Sequence, residues 1–177
     1  MKTRSVSEPV SFFAECACGR VAFEALGTPL TTLACYCDDC QGAAEAVEAL
    51  PGGQSGMLPD GGTIATIFRR DRVRCVRGDA LLIEHRLRPS SPTRRVLSSC
   101  CNCSLTARFD NWMPHVPLRS FAPTAAVRAP DICTFTKFAP TPASFLHAAP
   151  RYATLSPGFA LKLALATVQN LARSTFS

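Results

Sequence analysis

Cysteine spacing is the feature of this sequence that most constrains its fold. The 177 residues include ten cysteines, and most of them fall into three clusters. Thiolates grouped in this way are typical ligands of soft metal ions, and a structural zinc takes four ligands in a tetrahedron. The clusters are Cys16-Ala17-Cys18, Cys35-Tyr36-Cys37-Asp38-Asp39-Cys40 and Cys100-Cys101-Asn102-Cys103, whereas Cys75 and Cys133 stand alone.

The first and third clusters together predict a closed zinc site. Cys16 and Cys18 supply two thiolates, and Cys100 and Cys103 supply two more from a distant part of the chain. Four thiolates complete the coordination of a structural zinc, so this site would tie the first strands to a much later one. The binding free energy of such a site, on the order of 10 kcal/mol, is folding free energy.

The second cluster predicts a zinc site with an open position. Cys35, Cys37 and Cys40 provide three ligands, which leaves the fourth corner for water or an exogenous thiol. This trio is the candidate functional centre. The alternative is that both zinc ions are structural and that a fourth protein ligand comes from elsewhere. The candidates for that ligand are Cys75, Cys101, Cys133, His85 and Asp38.

The composition is that of a globular protein whose cysteines stay reduced. Hydrophobic residues make up 47% of the sequence and charged residues 18%. Residues 1–13 lack the apolar stretch of a signal peptide, and no apolar run is long enough to span a bilayer. These features predict a cytoplasmic protein, in which clustered cysteines bind metal more often than they form disulfides.

The formal net charge of +6 overstates how basic the folded protein is. It treats every cysteine as neutral, whereas seven zinc-bound thiolates outweigh two zinc ions and would about halve the figure. Basic residues also do not interleave with aromatic residues in one stretch. Nucleic acid is therefore not the expected partner.

Hydrophobic residues recur with a period close to two over much of the chain, which predicts a mainly β fold. Residues 21–26 and 30–34, separated by Gly27-Thr28-Pro29, are expected to form an antiparallel hairpin that delivers Cys35. Gly19 suits a metal knuckle, in which the backbone turns back on the ligand with positive φ. Further strands are expected over 63–68, 73–78, 80–87, 95–99 and 105–109.

Two helices are expected, a short one over residues 41–50 and a longer one near the C-terminus. Ser156-Pro157 is typical of the N-cap and first position of a helix, here continuing over 159–173. That helix packs on the domain or a partner subunit, or alternatively lies on a membrane surface. The proline-rich residues 114–150 are expected to be extended covering structure. The predicted organisation is a disordered segment 1–12, a zinc-binding domain 13–150 and a helical tail 151–177.

Four stretches together form a pattern that is known from one protein family. They are residues 16–24 (CACGRVAFE), residues 27–30 (GTPL), residues 35–40 (CYCDDC) and the pair Cys100 and Cys103. On these, residues 14–110 resemble the glutathione-dependent formaldehyde-activating enzyme and centromere protein V family. The resemblance implies a two-sheet β-tent with a structural zinc on the first and third pairs. It also implies a second zinc on the trio, to which glutathione sulfur can add, and the addition of formaldehyde to glutathione as the activity.

The sequence departs from that family at several positions, so it is identified as a divergent member. Leu97-Ser98-Ser99 precedes the third pair, where the family has Arg and an aromatic residue, and Ser104 follows in place of Gly. Tyr36 stands where the family has a histidine. Val116-Pro117-Leu118-Arg119-Ser120-Phe121 stands in the region of the family's Gly-x-Leu-Asp signature, which is not visible. The candidates to orient the carboxylates of a glutathione-like ligand are Arg20, Arg94 and Arg95.

Two functions of different classes follow from these observations. The first is carbon–sulfur lyase-like handling of glutathione or a related thiol and a small aldehyde at the open zinc. The second is a non-catalytic, zinc-stapled module that binds a protein or nucleic-acid partner. A homo-oligomer is compatible with either function.

Overall fold

The computed structural model of the protein describes residues 11–110, 113–123, 128–140 and 145–174. Within these residues the chain forms ten strands in two sheets, together with two α-helices and three short 3-10 turns. The expected mainly β, two-sheet architecture with a C-terminal helix is confirmed. Residues 1–10 of the proposed disordered segment lie outside the described residues, and Ser11 already begins the first strand.

The smaller sheet has three antiparallel strands in the order β1-β2-β5. In the register of β1 and β2, Ser11 lies opposite Leu26 and Glu15 lies opposite Ala22. Cys16 and Cys18 therefore lie in the connection between these two strands. The strands are β1 (Ser11–Glu15), β2 (Ala22–Leu26) and β5 (Val73–Arg77).

The larger sheet has seven strands in the order β10-β3-β4-β9-β8-β7-β6. Its neighbouring strands run antiparallel, except that β10 and β3 are parallel. The strands are β3 (Thr31–Cys35), β4 (Thr63–Arg69), β6 (Leu82–His85), β7 (Thr93–Ser98), β8 (Ser104–Phe109), β9 (His115–Leu118) and β10 (Ile132–Thr134).

The expected hairpin between residues 21–26 and 30–34 is wrong. Both stretches are strands, but β2 belongs to the small sheet and β3 to the large one. Gly27, with φ of +84°, and the two residues after it cross between the sheets. Four of the five residues of β3 are buried, because β4 and β10 flank it on both sides. A short apolar run of this kind does not reveal which strand it pairs with.

The expectation of extended covering structure over 114–150 is wrong for β9, which lies between β4 and β8 inside the large sheet. Proline is rare in inner strands because it has no N–H to donate to the ladder, and Pro117 therefore disguises this strand. Its carbonyl oxygen accepts a hydrogen bond from Thr106 Oγ1 at 2.6 Å. Leu118, next in the strand, is 1% exposed, so β9 is part of the core.

The two helices are α1 (Asp38–Glu48) and α2 (Pro157–Ser174). Helix α1 begins three residues before the predicted stretch 41–50, directly after Cys37, its N-cap residue. At the start of α2, Ser156 Oγ accepts a hydrogen bond from the backbone N–H of Phe159 at 3.4 Å, as the sequence predicts. None of the described helices is both long enough and apolar enough to cross a bilayer.

Helix α2 packs on the larger sheet rather than extending away from it. Phe159 and Leu163 lie against a cluster of buried side chains that includes Leu33 and Ile67. Lys162 Nζ donates a hydrogen bond to the carbonyl oxygen of Leu30 at 2.6 Å. The tail is thus attached to the domain over strands β3 and β4.

The main core joins the two sheets and also holds two of the clustered cysteines. Val21 and Phe23 from the small sheet pack with Phe68, Leu105 and Leu118 from the large one. Two cysteines of the first and third clusters belong to the same core and are fully buried, and they are Cys16 and Cys103.

We expect Leu118→Ala to lower the free energy of unfolding by about 2–5 kcal/mol, because it leaves a cavity in a closed core. The matched control is Leu161→Ala on α2, whose side chain is 62% exposed and which should change stability by less than about 0.5 kcal/mol. Urea denaturation of both variants measures the difference. Equal effects would contradict the inner position of β9.

Candidate metal centres and the adjoining cavity

The first metal centre is a group of sulfurs that link the two sheets. Cys16 Sγ lies 3.6 Å from Cys18 Sγ and 3.8 Å from Cys100 Sγ, and the last two sulfurs are 3.3 Å apart. A tetrahedral zinc with Zn–S bonds of about 2.3 Å places its sulfurs about 3.8 Å apart, whereas a disulfide needs about 2.05 Å. The spacing and the soft donors fit zinc.

Backbone amides orient these sulfurs, as the sequence predicts for a metal knuckle. Val21 N–H donates to Cys16 Sγ at 3.2 Å, and Ala17 N–H donates to Cys103 Sγ at 3.4 Å. Gly19 has φ of +73°, and its N–H closes a turn onto the carbonyl of Cys16 at 2.9 Å. Such N–H···S bonds stabilise thiolates and fix the direction of each ligand.

The third cluster brings two cysteines within reach of the fourth ligand position. Among the described residues, Cys101 is the one whose sulfur groups with Cys16, Cys18 and Cys100 within 4.8 Å. Cys103 Sγ lies beyond that group, 3.5 Å from Cys101 Sγ. The first metal centre therefore has five nearby sulfurs for the four ligand positions of a tetrahedral zinc. The assignment of Cys103 as the fourth ligand, made from the sequence, stays a prediction.

The second metal centre is the trio of Cys35, Cys37 and Cys40, whose sulfurs lie within 4.8 Å of one another. The sulfurs of Cys35 and Cys37 are 3.4 Å apart. Cys35 ends strand β3, Cys37 caps helix α1, and Cys40 lies in its first turn. The strand end and the helix start thus place three thiols at one point, where the positive end of the helix dipole favours thiolates.

Tyr36 anchors the backbone between the first two thiols of the trio. Its side chain is fully buried, and its hydroxyl donates to Asp60 Oδ2 at 2.8 Å. The Tyr36 ring packs edge-on against Phe145 at a centroid distance of 5.1 Å. A Cβ at Gly62 would come within 2.7 Å of the Tyr36 ring, so only glycine leaves room for it. Tyr36 is thus a positioning residue rather than a ligand.

The thiols of the trio differ in acidity. The pKa of Cys40 is well below its usual value, because Cys35 and Cys37 donate hydrogen bonds to its sulfur and the guanidinium groups of Arg119 and Arg95 add positive charge. The pKa of Cys35 is raised, because its thiol is the donor in hydrogen bonds to Cys37 and Cys40 and is buried.

A cavity of about 360 Å³ adjoins the trio and is lined mainly by apolar side chains. Its volume is in the range of small-molecule sites. The floor is formed by strands of the large sheet, and Phe159 and Leu163 of helix α2 form its roof. The polar or charged side chains of the lining, besides the three cysteines, are Asp39, Thr63, Thr93, Arg95, His115, Arg119 and Thr134.

The three arginines expected from the sequence occupy different places. Arg95 lines the cavity, and its Nη2 donates to the carbonyl oxygen of Asp39 at 3.1 Å. Arg20 lies at the first metal centre, where Nη2 donates to the carbonyl oxygen of Cys100 at 3.4 Å. Arg94 pairs with Glu84 and Asp110, each at 2.9 Å, and does not line the cavity.

Two cavity residues were missed by the sequence reasoning. Arg119 follows the proline-containing strand β9, and the Nε and Nη1 atoms of its guanidinium are buried with no hydrogen-bond partner among the described residues. His115 lies in the same cavity, and burial lowers its pKa to about 4, so its imidazole is neutral at physiological pH. The one signal for Arg119 was that it lies in the region where the family's Gly-x-Leu-Asp signature is expected.

None of the candidates for a fourth ligand of the trio joins it. Within the described part of the chain, no further cysteine, histidine or carboxylate has a ligand atom within 4.8 Å of all three sulfurs. Cys133 is fully buried beside Tyr36 in a separate apolar cluster, and Cys101 belongs to the first centre. Cys75 lies in β5 and His85 in β6.

Comparisons with known proteins give a family match over the first two cysteine clusters. Residues 11–52 match the family model described as glutathione-dependent formaldehyde-activating enzyme, which confirms the resemblance over a stretch containing five of the clustered cysteines. A crystal structure of a Rhodobacter sphaeroides protein, a structural-genomics target, aligns over 61% of this chain and 84% of its own, with 18% identity and a TM-score of 0.42. None of the curated proteins matches the sequence significantly.

We expect Cys103→Ser to release the metal of the first centre, because the buried Cys103 sulfur is already held by a backbone N–H. Cys101→Ser, whose sulfur lies near the Ser98 hydroxyl at 3.4 Å, should keep that metal. Zinc content by mass spectrometry under native conditions distinguishes the two variants. The reverse pattern would assign the fourth ligand to Cys101.

We expect Cys37→Ser to lose one zinc and keep the fold, because the trio is local in sequence. Cys16→Ser should instead unfold the protein, because it breaks the link between the sheets. Circular dichroism and zinc content, measured on both variants, test this division. A folded Cys16→Ser protein together with an unfolded Cys37→Ser protein would overturn it.

Proposed function

Because residues 11–52 carry the sequence pattern of the glutathione-dependent formaldehyde-activating enzyme family, we propose that this protein makes and breaks carbon–sulfur bonds between a thiol and a small aldehyde. The site is a zinc bound by Cys35, Cys37 and Cys40. The observation that carries the proposal is that these three sulfurs have no fourth described protein ligand and adjoin a cavity of about 360 Å³.

A second zinc, in this proposal, is structural and is held by Cys16, Cys18, Cys100 and Cys103. Its four thiolates leave no position for a substrate, and its ligands come from both sheets. Its role is to hold the two sheets in the arrangement that brings β3 and helix α1 to the cavity. Spacings of 3.3–3.8 Å among the first three sulfurs support a zinc there. Cys103 is proposed as the fourth ligand because it is fully buried and its sulfur accepts a hydrogen bond from the N–H of Ala17.

The trio offers an electron-rich, partly shielded place for a bound thiol. A zinc ion held there supplies Lewis acidity, which lowers the pKa of a fourth sulfur ligand. The N-terminus of helix α1 and the guanidinium groups of Arg95 and Arg119 supply positive charge next to the sulfurs. This charge offsets the repulsion between an added thiolate and the three cysteine thiolates. The largely apolar walls offer few groups that would hold water beside the aldehyde.

The proposed reaction is an addition with no net oxidation. The thiol gives up its proton, its sulfur forms a bond to the carbonyl carbon, and the carbonyl π bond breaks. The oxygen takes up one proton, so the product is a hydroxymethyl thioether when the aldehyde is formaldehyde. The reverse reaction cleaves the same carbon–sulfur bond. Glutathione or a related thiol is the proposed partner.

The alternative of a nucleic-acid-binding module receives less support from the charges. Several arginines are already neutralised by carboxylates of the same domain. Arg74 pairs with Glu24 at 2.6 Å, and Arg88 pairs with Asp39 at 2.6 Å. A surface that binds phosphates needs unpaired cations in one patch.

The separated, unbonded sulfurs support a reducing location such as the cytoplasm.

The test is a thiol titration of the cobalt-substituted protein. We expect glutathione or 2-mercaptoethanol to change the visible absorption of one of the two cobalt ions, because an added sulfur alters its ligand field. Cys37→Ser, which keeps only the structural site, is the control and should show no change. An unchanged spectrum at saturating concentrations of both thiols would contradict the open site and favour a purely structural role.

A further inference from the structure

The walls of the cavity are poorly suited to a peptide. Apart from the end that holds the sulfurs, the lining consists largely of aliphatic and aromatic side chains. Leu33, Ala65 and Ile67 come from the large sheet, and Phe159 and Leu163 come from helix α2. Each polar group of a ligand that is buried against such walls without a hydrogen-bond partner costs about 1–3 kcal/mol of binding free energy. The cavity therefore favours a ligand with an apolar body.

Besides His115, whose Nδ1 is also buried without a described partner, Arg119 gives the cavity a charged group that lacks one. Its Nε and Nη1 atoms are buried and make no hydrogen bond to any described residue. Burial lowers its pKa, and the negative charge of Cys40 opposes this effect, so the guanidinium stays charged at physiological pH. A buried, charged donor without an acceptor is costly unless a ligand completes it.

The second cation of the cavity is already engaged. Arg95 uses Nη2 to donate to the carbonyl oxygen of Asp39, which holds its side chain at the start of helix α1. A carboxylate fits Arg119 well, because the planar guanidinium presents two parallel N–H groups to two oxygens. Nε–H and Nη1–H lie on different edges of the guanidinium, so a carboxylate that pairs with Arg119 through two hydrogen bonds uses one of them together with Nη2.

From these observations we propose that the thiol partner is an apolar mercapto-carboxylic acid, whose single carboxylate binds Arg119 and whose hydrocarbon body fills the cavity under helix α2. The proposal rests on the proposed function, because it names the substrate class of that site. Glutathione brings two carboxylates, an ammonium group and two peptide groups. It therefore has more polar groups than this cavity can pair, and it is the poorer ligand.

The alternative role for Arg119 is to balance the charge of the three thiolates without binding a ligand. A zinc ion with three thiolates carries a net charge of −1, and a nearby guanidinium offsets it. The two roles predict different measurements. Charge balance makes metal retention depend on Arg119 without any preference among ligands, whereas recognition makes the preference for a carboxylate depend on it.

The experiment uses zinc-loaded protein and two ligands without a thiol, 3-phenylpropanoate and 3-phenylpropanamide, whose shapes match and whose charges differ. Isothermal titration calorimetry should show the acid binding about tenfold or more tightly than the amide. Arg119→Gln should abolish that preference while keeping its zinc. Arg74→Gln, which alters an exposed ion pair outside this cavity, is the matched control and should keep the preference.

Equal binding of acid and amide by the unaltered protein would overturn the proposal, and this comparison stands even if Arg119→Gln fails to fold. A preference for the acid over the amide that survives in folded Arg119→Gln would also overturn the proposal. Loss of zinc from Arg119→Gln with that preference intact would do the same. If the cobalt spectrum does not respond to thiols but the acid preference persists, the proposed chemistry fails and carboxylate recognition by Arg119 stands. If 2-mercapto-3-phenylpropanoate changes the spectrum at lower concentration than glutathione, both are supported.

Discussion

Sulfur contacts between the two sheets are the constraint on which the rest of the structure depends. Cys16 follows strand β1 of the small sheet, and Cys100 precedes strand β8 of the large one, yet their sulfurs lie 3.8 Å apart. The backbone N–H of Ala17 reaches Cys103 across the same gap. Hydrophobic contacts between Phe23 and the large sheet would by themselves allow sliding, since such contacts are non-directional. Metal–sulfur bonds are directional and fix one arrangement.

That arrangement determines where the second group of sulfurs lies. Cys35 can end β3 beside the cavity because β3 is an inner strand, held on one side by β4 and on the other by β10. The buried Tyr36 then turns the chain so that helix α1 begins with Cys37 and brings Cys40 back to the same point. Rigid supports on both sides of the trio would keep the fourth position of the proposed zinc site accessible, which a flexible loop would not do.

The sequence was informative where chemistry is local and misleading where it is not. Ligand spacing predicted which stretches come together, because a trio within six residues and two close pairs leave few arrangements. It did not distinguish Cys101 from Cys103 as the fourth sulfur of the first group. Capping residues predicted the start of α2, because Ser156 acts on a donor three residues away. Strand partners were not predictable, as β2 and β3 show, because an apolar strand does not encode which sheet it joins. Arg119 was missed because its importance comes from lacking a partner in three dimensions.

The roof of the cavity is encoded separately from its metal-binding end. Phe159 and Leu163 come from a helix at the far end of the chain, whereas the sulfurs come from residues 35–40. Exchanging side chains at 159 or 163 would therefore resize the space for a bound molecule and leave coordination untouched. By the same logic, a truncation that removes helix α2 would uncover the cavity and change its selectivity, while the three sulfurs would keep their supports in β3 and α1.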